Sequence, residues 1–225
     1  MQNNQLYIIG TIQEPFEYDH TVQGERFYRT SIATIRTSGY KDVLPVITSE
    51  HLIDVNIDLT GYKAEVSGSF RSFSRKLESG KKIKSMYIFI DTLSMMEDQE
   101  AADTDEVTLC GALCTPPVYR TTPLGRELTE ACIAVNRNFN KTDYINIITW
   151  SRMARRCAEL VIGDVISITG RIQSREYQKV LDTGDIVTKM AYEVSVFKYE
   201  YMGSNIRRDI DAGSGASSRE EAGVL

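Results

Sequence analysis

Histidine is scarce in this chain, with only His20 and His51 among 225 residues. The four cysteines, Cys110, Cys114, Cys132 and Cys157, form no C-x-x-C pair, so the spacing argues against a zinc site. Cys110 and Cys114 share a strand face and read as buried thiols, as in a reducing compartment. A G-x-x-x-x-G-K-[ST] phosphate loop is absent, and neither histidine sits in a catalytic constellation. An enzyme is therefore not expected, and neither is a cofactor. No apolar run approaches the roughly 20 residues that cross a bilayer. The opening MQNNQLYIIG shows no basic leader or signal core, so the expectation is a soluble, cytoplasmic protein with no membrane partner. Tryptophan occurs once, as Trp150.

What is present suits a globular fold: 42% hydrophobic and 25% charged residues, enough to build a core. Tyrosine is frequent, at 12 residues, which favours strands. The net charge of −5 argues at first against nucleic acid, but its position matters more than its total. Residues 98–106 (DQEAADTDE) hold five acidic groups and no basic one; residues 107–202 hold 12 Lys and Arg against 10 Asp and Glu.

The chain contains a repeat. LYIIGTIQEP (6–15) matches VTLCGALCTP (107–116) at an offset of 101, with Gly10 over Gly111 and Pro15 over Pro116. SIATIR (31–36) falls on CIAVNR, and LPVITS (44–49) on INIITW. One inserted residue later, GYKAEVSGSF (61–70) falls on GDVISITGRI. Two copies of one domain follow: residues 1–97 and 106–202, an acidic linker over 98–105, and a disordered tail over 203–225. Each copy reads as five strands and one short helix, with strands in the second near 106–114, 128–138, 143–150, 164–177 and 187–200. In SRMARRCAELVIGD, Met153, Cys157, Leu160 and Val161 recur at helical spacing. A weaker version in the first copy uses Leu52, Val55 and Leu59. The fold class expected is all-β with short helices: tandem five-stranded OB-fold barrels.

Successive strand residues point to opposite faces. In DYINIITW, Ile145, Ile147 and Thr149 then share one face, and Tyr144, Asn146, Ile148 and Trp150 the other. On the fourth strand, Ile166, Ile168, Gly170 and Ile172 turn to the core, leaving Arg171, Arg175 and Tyr177 opposite. Phe139 sits between Arg137 and Lys141 in the preceding loop. Basic groups beside exposed rings suit single-stranded nucleic acid: bases stack on the rings while Lys and Arg follow phosphates. Stacking alone does not separate DNA from RNA. The same residues also fit a barrel end, a subunit interface or a solvated face.

The combination of T-P-x-G, A-V-N-R, Y-I-N-I-I-x-W, a small helix and G-R-I-Q-x-R-x-Y resembles the bacterial single-stranded DNA-binding protein family over about residues 106–200. The resemblance implies base stacking by Phe139, Tyr144, Trp150 and Tyr177, and backbone contacts by Arg137, Lys141, Arg171 and Arg175. It implies single-stranded DNA as partner, roles in replication, recombination or repair, a nucleoid-associated location, and a homodimer presenting four OB-folds. The first copy departs from the pattern, with Ser38, Val43, Ser49 and Arg75 at the four aromatic positions. It offers instead a basic hairpin holding Arg71, Arg75, Lys76, Lys81, Lys82 and Lys84. That hairpin reads either as a secondary phosphate contact or as a solvated edge whose lysines discourage strand pairing. The C-terminal REEAGVL lacks the family's acidic tip with its aromatic, which weighs against recruitment of replication proteins. The alternative function is a tandem-OB assembly module of a replication or primosome complex with little DNA affinity.

Overall fold

A computed structural model describes residues 3–76, 80, 82–138, 140–181 and 184–204. The first copy holds β1 (Asn4–Ile12), β2 (Glu17–Val22), β3 (Glu25–Ile35), β4 (Lys41–Ser49), β5 (Lys63–Lys76) and β6 (Lys82–Met95). The second holds β7 (Thr104–Leu113), β8 (Val118–Thr121), β9 (Glu127–Arg137), β10 (Lys141–Trp150), helix α1 (Arg152–Ala158), β11 (Asp164–Val180) and β12 (Ile186–Ser204). The barrels close alike. In each, the first strand pairs with the third and fifth, and the fourth runs parallel to the last. Each copy has six strands rather than the five expected. The extra ones, β2 and β8, are exposed along almost their whole length and so carry no hydrophobic alternation to betray them.

The helix between the fourth and fifth strands forms only in the second copy, where Ala154 and Cys157 are buried. The first copy has a single 3-10 turn, Glu50–Leu52. Leu52 and Leu59 pack against the core, but Val55 is exposed. Local side-chain bonds compete there with a helix: Asp54 accepts from the Asn56 amide and Asp58 from the Thr60 amide.

Strand β1 pairs antiparallel with β7 and joins the barrels into one twelve-stranded sheet. Leu6 faces Val107, its own counterpart at the 101-residue offset, so the register places a pseudo-twofold axis between equivalent residues. Buried apolar residues of both copies form one connected core. The repeated glycines have a steric cause. A Cβ on Gly10 would lie 2.5 Å from the Ala33 carbonyl oxygen, and one on Gly111 2.6 Å from that of Ala134, again a repeat-equivalent pair.

The acidic segment is ordered up to and into β7. Lys63 pairs with Asp103 at 3.0 Å, Asp103 accepts from the Ile35 amide, and Gln99 accepts from the Lys63 amide. β12 runs two residues past 202, and residues 205–225, the tail read as disordered, lie outside the described residues. Cys110, Cys114 and Cys132 are half-exposed, not buried, because they face outward or sit at a strand end; only Cys157 is enclosed.

Asp105 occupies the place of Asn4. Asn4 both donates to the Phe70 carbonyl, at 2.7 Å, and accepts from the Phe70 amide, at 2.9 Å. Asp105 accepts from the Ile172 amide at 3.1 Å, but its shielded Oδ2 has no hydrogen-bond partner. Burial pushes this carboxyl up to about 7, against the bond from Ile172. Protonated, it can donate as Asn4 does. The folded chain then binds more protons than the unfolded one between about pH 4 and about 7, so stability falls as pH rises through that window. Asp105→Asn should flatten this dependence and raise stability at neutral pH in urea titrations. An unchanged slope would refute the assignment.

Candidate nucleic-acid interface

The outer face of β10, β12 and β11 forms a platform. Tyr144 is 47% exposed and Tyr177 37%, while Trp150 is half-buried. Trp150 Nε1 donates to Ser195 Oγ at 3.3 Å, and the Arg126 guanidinium lies 5.3 Å from the ring centroid. Beneath the surface Gln173 donates to Glu193 at 2.8 Å, and Arg175 stands 3.6 Å from the same carboxylate. This pairing offsets an acid on a face that would otherwise repel phosphates. The inward residues follow the alternation: Ile145 and Ile147 are buried, as is Thr149. Ile148, on the platform side, is buried as well, and separates Trp150 from Tyr144.

The site residues expected from sequence fare differently. Tyr144, Trp150, Tyr177 and Arg175 share the platform, and Lys141 is exposed at the start of β10. Arg171 is half-buried, its Nε shielded, and its charge is felt by Asp105. Arg137 is half-buried and ion-paired, its Nε 3.0 Å from Asp143 Oδ2. Phe139 lies outside the described residues. Of the basic hairpin, Lys84 is exposed. Arg71 is half-buried along the sheet, donating to Ser69 at 2.8 Å and lying 4.0 Å from the Phe89 ring centroid. Burial, then the nearby Arg137, lowers its pKa. Lys81 and the side chains of Arg75, Lys76 and Lys82 lie outside what is described.

The platform is held from the other copy. The Ser72 amide donates to Asp143 Oδ1 at 2.7 Å, and Ser72 Oγ accepts from the Tyr144 amide at 2.9 Å. The twofold counterpart is present: Ser174 donates to Asp42 through its amide at 2.7 Å and its hydroxyl at 2.9 Å, and Arg36 pairs with Asp42 at 2.5 Å. Asp143 is fully buried; burial raises its pKa against the opposing pull of the Ser72 amide and the Arg137 charge. Sequence reading missed these serines and aspartates, because neither type signals a contact between segments 71 or 132 residues apart.

On the first copy's matching face Ser38, Val43, Ser49 and Arg75 stand at the four aromatic positions, and the charged positions differ. Where Arg126 covers Trp150, the first copy has Glu25 accepting from Ser49. Where Thr115 lines the second copy's groove, Glu14 lines the first's and accepts from Ser31 at 2.8 Å.

Fold and face together define a tandem OB-fold protein whose second copy carries a platform of Tyr144, Trp150 and Tyr177 with Arg126 and Arg175 that the first copy does not repeat. The single-strand binding protein family model matches residues 104–202. A Streptococcus agalactiae serotype V relative, named single-stranded DNA-binding protein 2, is 31% identical over 111 residues, spanning 46% of this chain and 81% of the relative. Single-stranded DNA-binding protein A of Bacillus subtilis is 33% identical over 96 residues, spanning 40% of this chain and 56% of the relative. The chain belongs to the single-strand binding protein family. Among solved structures, the wild-type single-stranded DNA binding protein from Thermus aquaticus superposes with a TM-score of 0.71 at 18% identity. It covers 99% of this chain and 96% of that one, which shows a shared fold across both copies.

Proposed function

We propose that the chain binds single-stranded DNA without strong sequence preference and without enzymatic activity, in replication, recombination or repair. The observation that carries this is the platform of Tyr144, Trp150 and Tyr177 with Arg126 and Arg175, on a chain of this family. Rings accept any base, and the arginines follow the backbone. Residues 106–202 are the binding unit and residues 1–97 a scaffold for it, joined through the 98–105 segment. Glu25 at the place of Arg126, and Ser38, Val43, Ser49 and Arg75 at the four aromatic positions, favour that division. Two OB-folds per chain let a homodimer present four; a light-scattering mass equal to one chain would refute the dimer. Among the described residues no helix is long and apolar enough to cross a membrane. Action at the nucleoid is the setting that fits.

Trp150 fluorescence tests the reading, because the chain has one Trp. Titration with oligo(dT) should quench it saturably. Affinity should fall with salt at a log–log slope of about −0.7 per phosphate neutralised. Absent quenching, with no binding of a labelled strand, would leave an assembly module as the better account.

A further inference from the structure

Three depressions along one side of the molecule share lining residues and run into one another. The second copy's groove, with Thr115, Cys132 and Arg175, meets a central trough at Asn146. The central trough meets the first copy's groove at Pro45, Tyr87 and Tyr192. Pro45 and Asn146 are repeat-equivalent, and the strand pairings make Met86 the counterpart of Tyr192; all four line the trough, which therefore straddles the pseudo-twofold axis. Its volume is about 410 Å³, within the range of clefts that take small ligands. Tyr177, at the edge of the platform, also lines it.

The trough's chemistry matches that of the platform. Tyr87 and Tyr192 bring rings from the two hairpins, and Tyr87 is fixed edge-on against Phe73 at 5.9 Å. Lys84, exposed on β6, lines the trough, and its charge is felt at the Cys132 thiol of the second copy's groove. A cation from the first copy thus overlooks the second copy's surface. Among the described residues, no acidic one lines the central trough. Beyond it the first copy's groove presents Glu14, and Glu17 paired with Arg29 at 2.9 Å.

We infer that this trough is a further subsite for an unpaired base and its phosphate, with Tyr87 and Tyr192 taking the base and Lys84 the phosphate. A strand leaving Tyr177 crosses the pseudo-twofold axis there and stops before Glu14. The inference rests on the single-strand reading of the platform, and it gives the first copy a direct part in binding through its hairpin alone.

Strand length separates the two ideas. An oligo(dT) of about 8 nucleotides suits a single OB-fold, whose site covers roughly 4–16 nucleotides; one of about 30 must extend further. Tyr87→Ala in the full chain should leave short-strand quenching of Trp150 unchanged. It should weaken the long strand by roughly five- to 150-fold, the loss of one stacked base. Lys84→Glu, at an exposed position that does not endanger folding, should weaken the long strand and lower its salt slope by about one phosphate contact. Normal short-strand quenching with unchanged long-strand affinity in both variants would overturn the subsite alone. Absence of quenching in the unaltered chain at either length would overturn the platform and the subsite with it.

Discussion

Replacing Tyr144 and Trp150 together by alanine should weaken oligo(dT) binding by about 2–6 kcal/mol, at 1–3 kcal/mol for each stacked base. That is a loss of roughly thirty-fold or more in Kd. The fold should survive. Tyr144 is nearly half exposed and is held through its backbone amide rather than its ring. Trp150 gives up a single hydrogen bond, to Ser195. With the tryptophan gone, anisotropy of an end-labelled strand is the measurement, and thermal unfolding checks the fold. The internal control lies in the first copy: Ser49→Ala, at the position equivalent to Trp150, should change affinity less than twofold. A double variant that binds within fivefold of the unaltered chain would refute the stacking platform. It would move the binding surface elsewhere.

The unequal effect of equivalent positions was half legible in the sequence. The repeat, the alternation of Ile145 and Ile147 against Tyr144 and Trp150, and the missing rings of the first copy all follow from local pattern. Patterning of that kind records which face is buried, since burial of apolar area dominates folding. The pairing of β1 with β7 is not of that kind. Its register depends on two segments about a hundred residues apart, and Leu6 and Val107 look like ordinary core residues in isolation. The same holds for charge. Glu14 and Glu25 accept from Ser31 and Ser49 only in the folded chain, at places where the second copy has Thr115 and Arg126. Arg137 reads from sequence as a phosphate contact, because a basic residue beside a ring invites that reading; nothing local shows that Asp143, six residues on, faces the barrel interior and pairs with it.

Asp143 also sets up the other large effect. Asp143→Ala and Asp42→Ala should each cost about 3–5 kcal/mol of stability, because each removes one half of a buried ion pair. Each also leaves a serine amide from the opposite copy without its acceptor. The two substitutions sit at equivalent positions under the pseudo-twofold axis, so urea unfolding should show similar losses. Binding should not follow the same symmetry. Asp143 and Ser72 hold the backbone beside Tyr144, whereas Asp42 and Ser174 hold the backbone beside Val43, which has no ring to aim. The serines allow this to be tested in folded protein, as each contributes one or two hydrogen bonds at about 1 kcal/mol. Ser72→Ala should lower oligo(dT) affinity several-fold, and Ser174→Ala should leave it nearly unchanged at similar cost to stability. In a chain already carrying Tyr144→Ala, Ser72→Ala should have no further effect on affinity, since the residue it positions is gone. Equal losses of affinity from the two serine variants would mean that these contacts stabilise the barrels without aiming the platform. Unequal losses would show that a copy poor in stacking residues governs the geometry of the copy that has them, through hydrogen bonds symmetric in form and asymmetric in consequence.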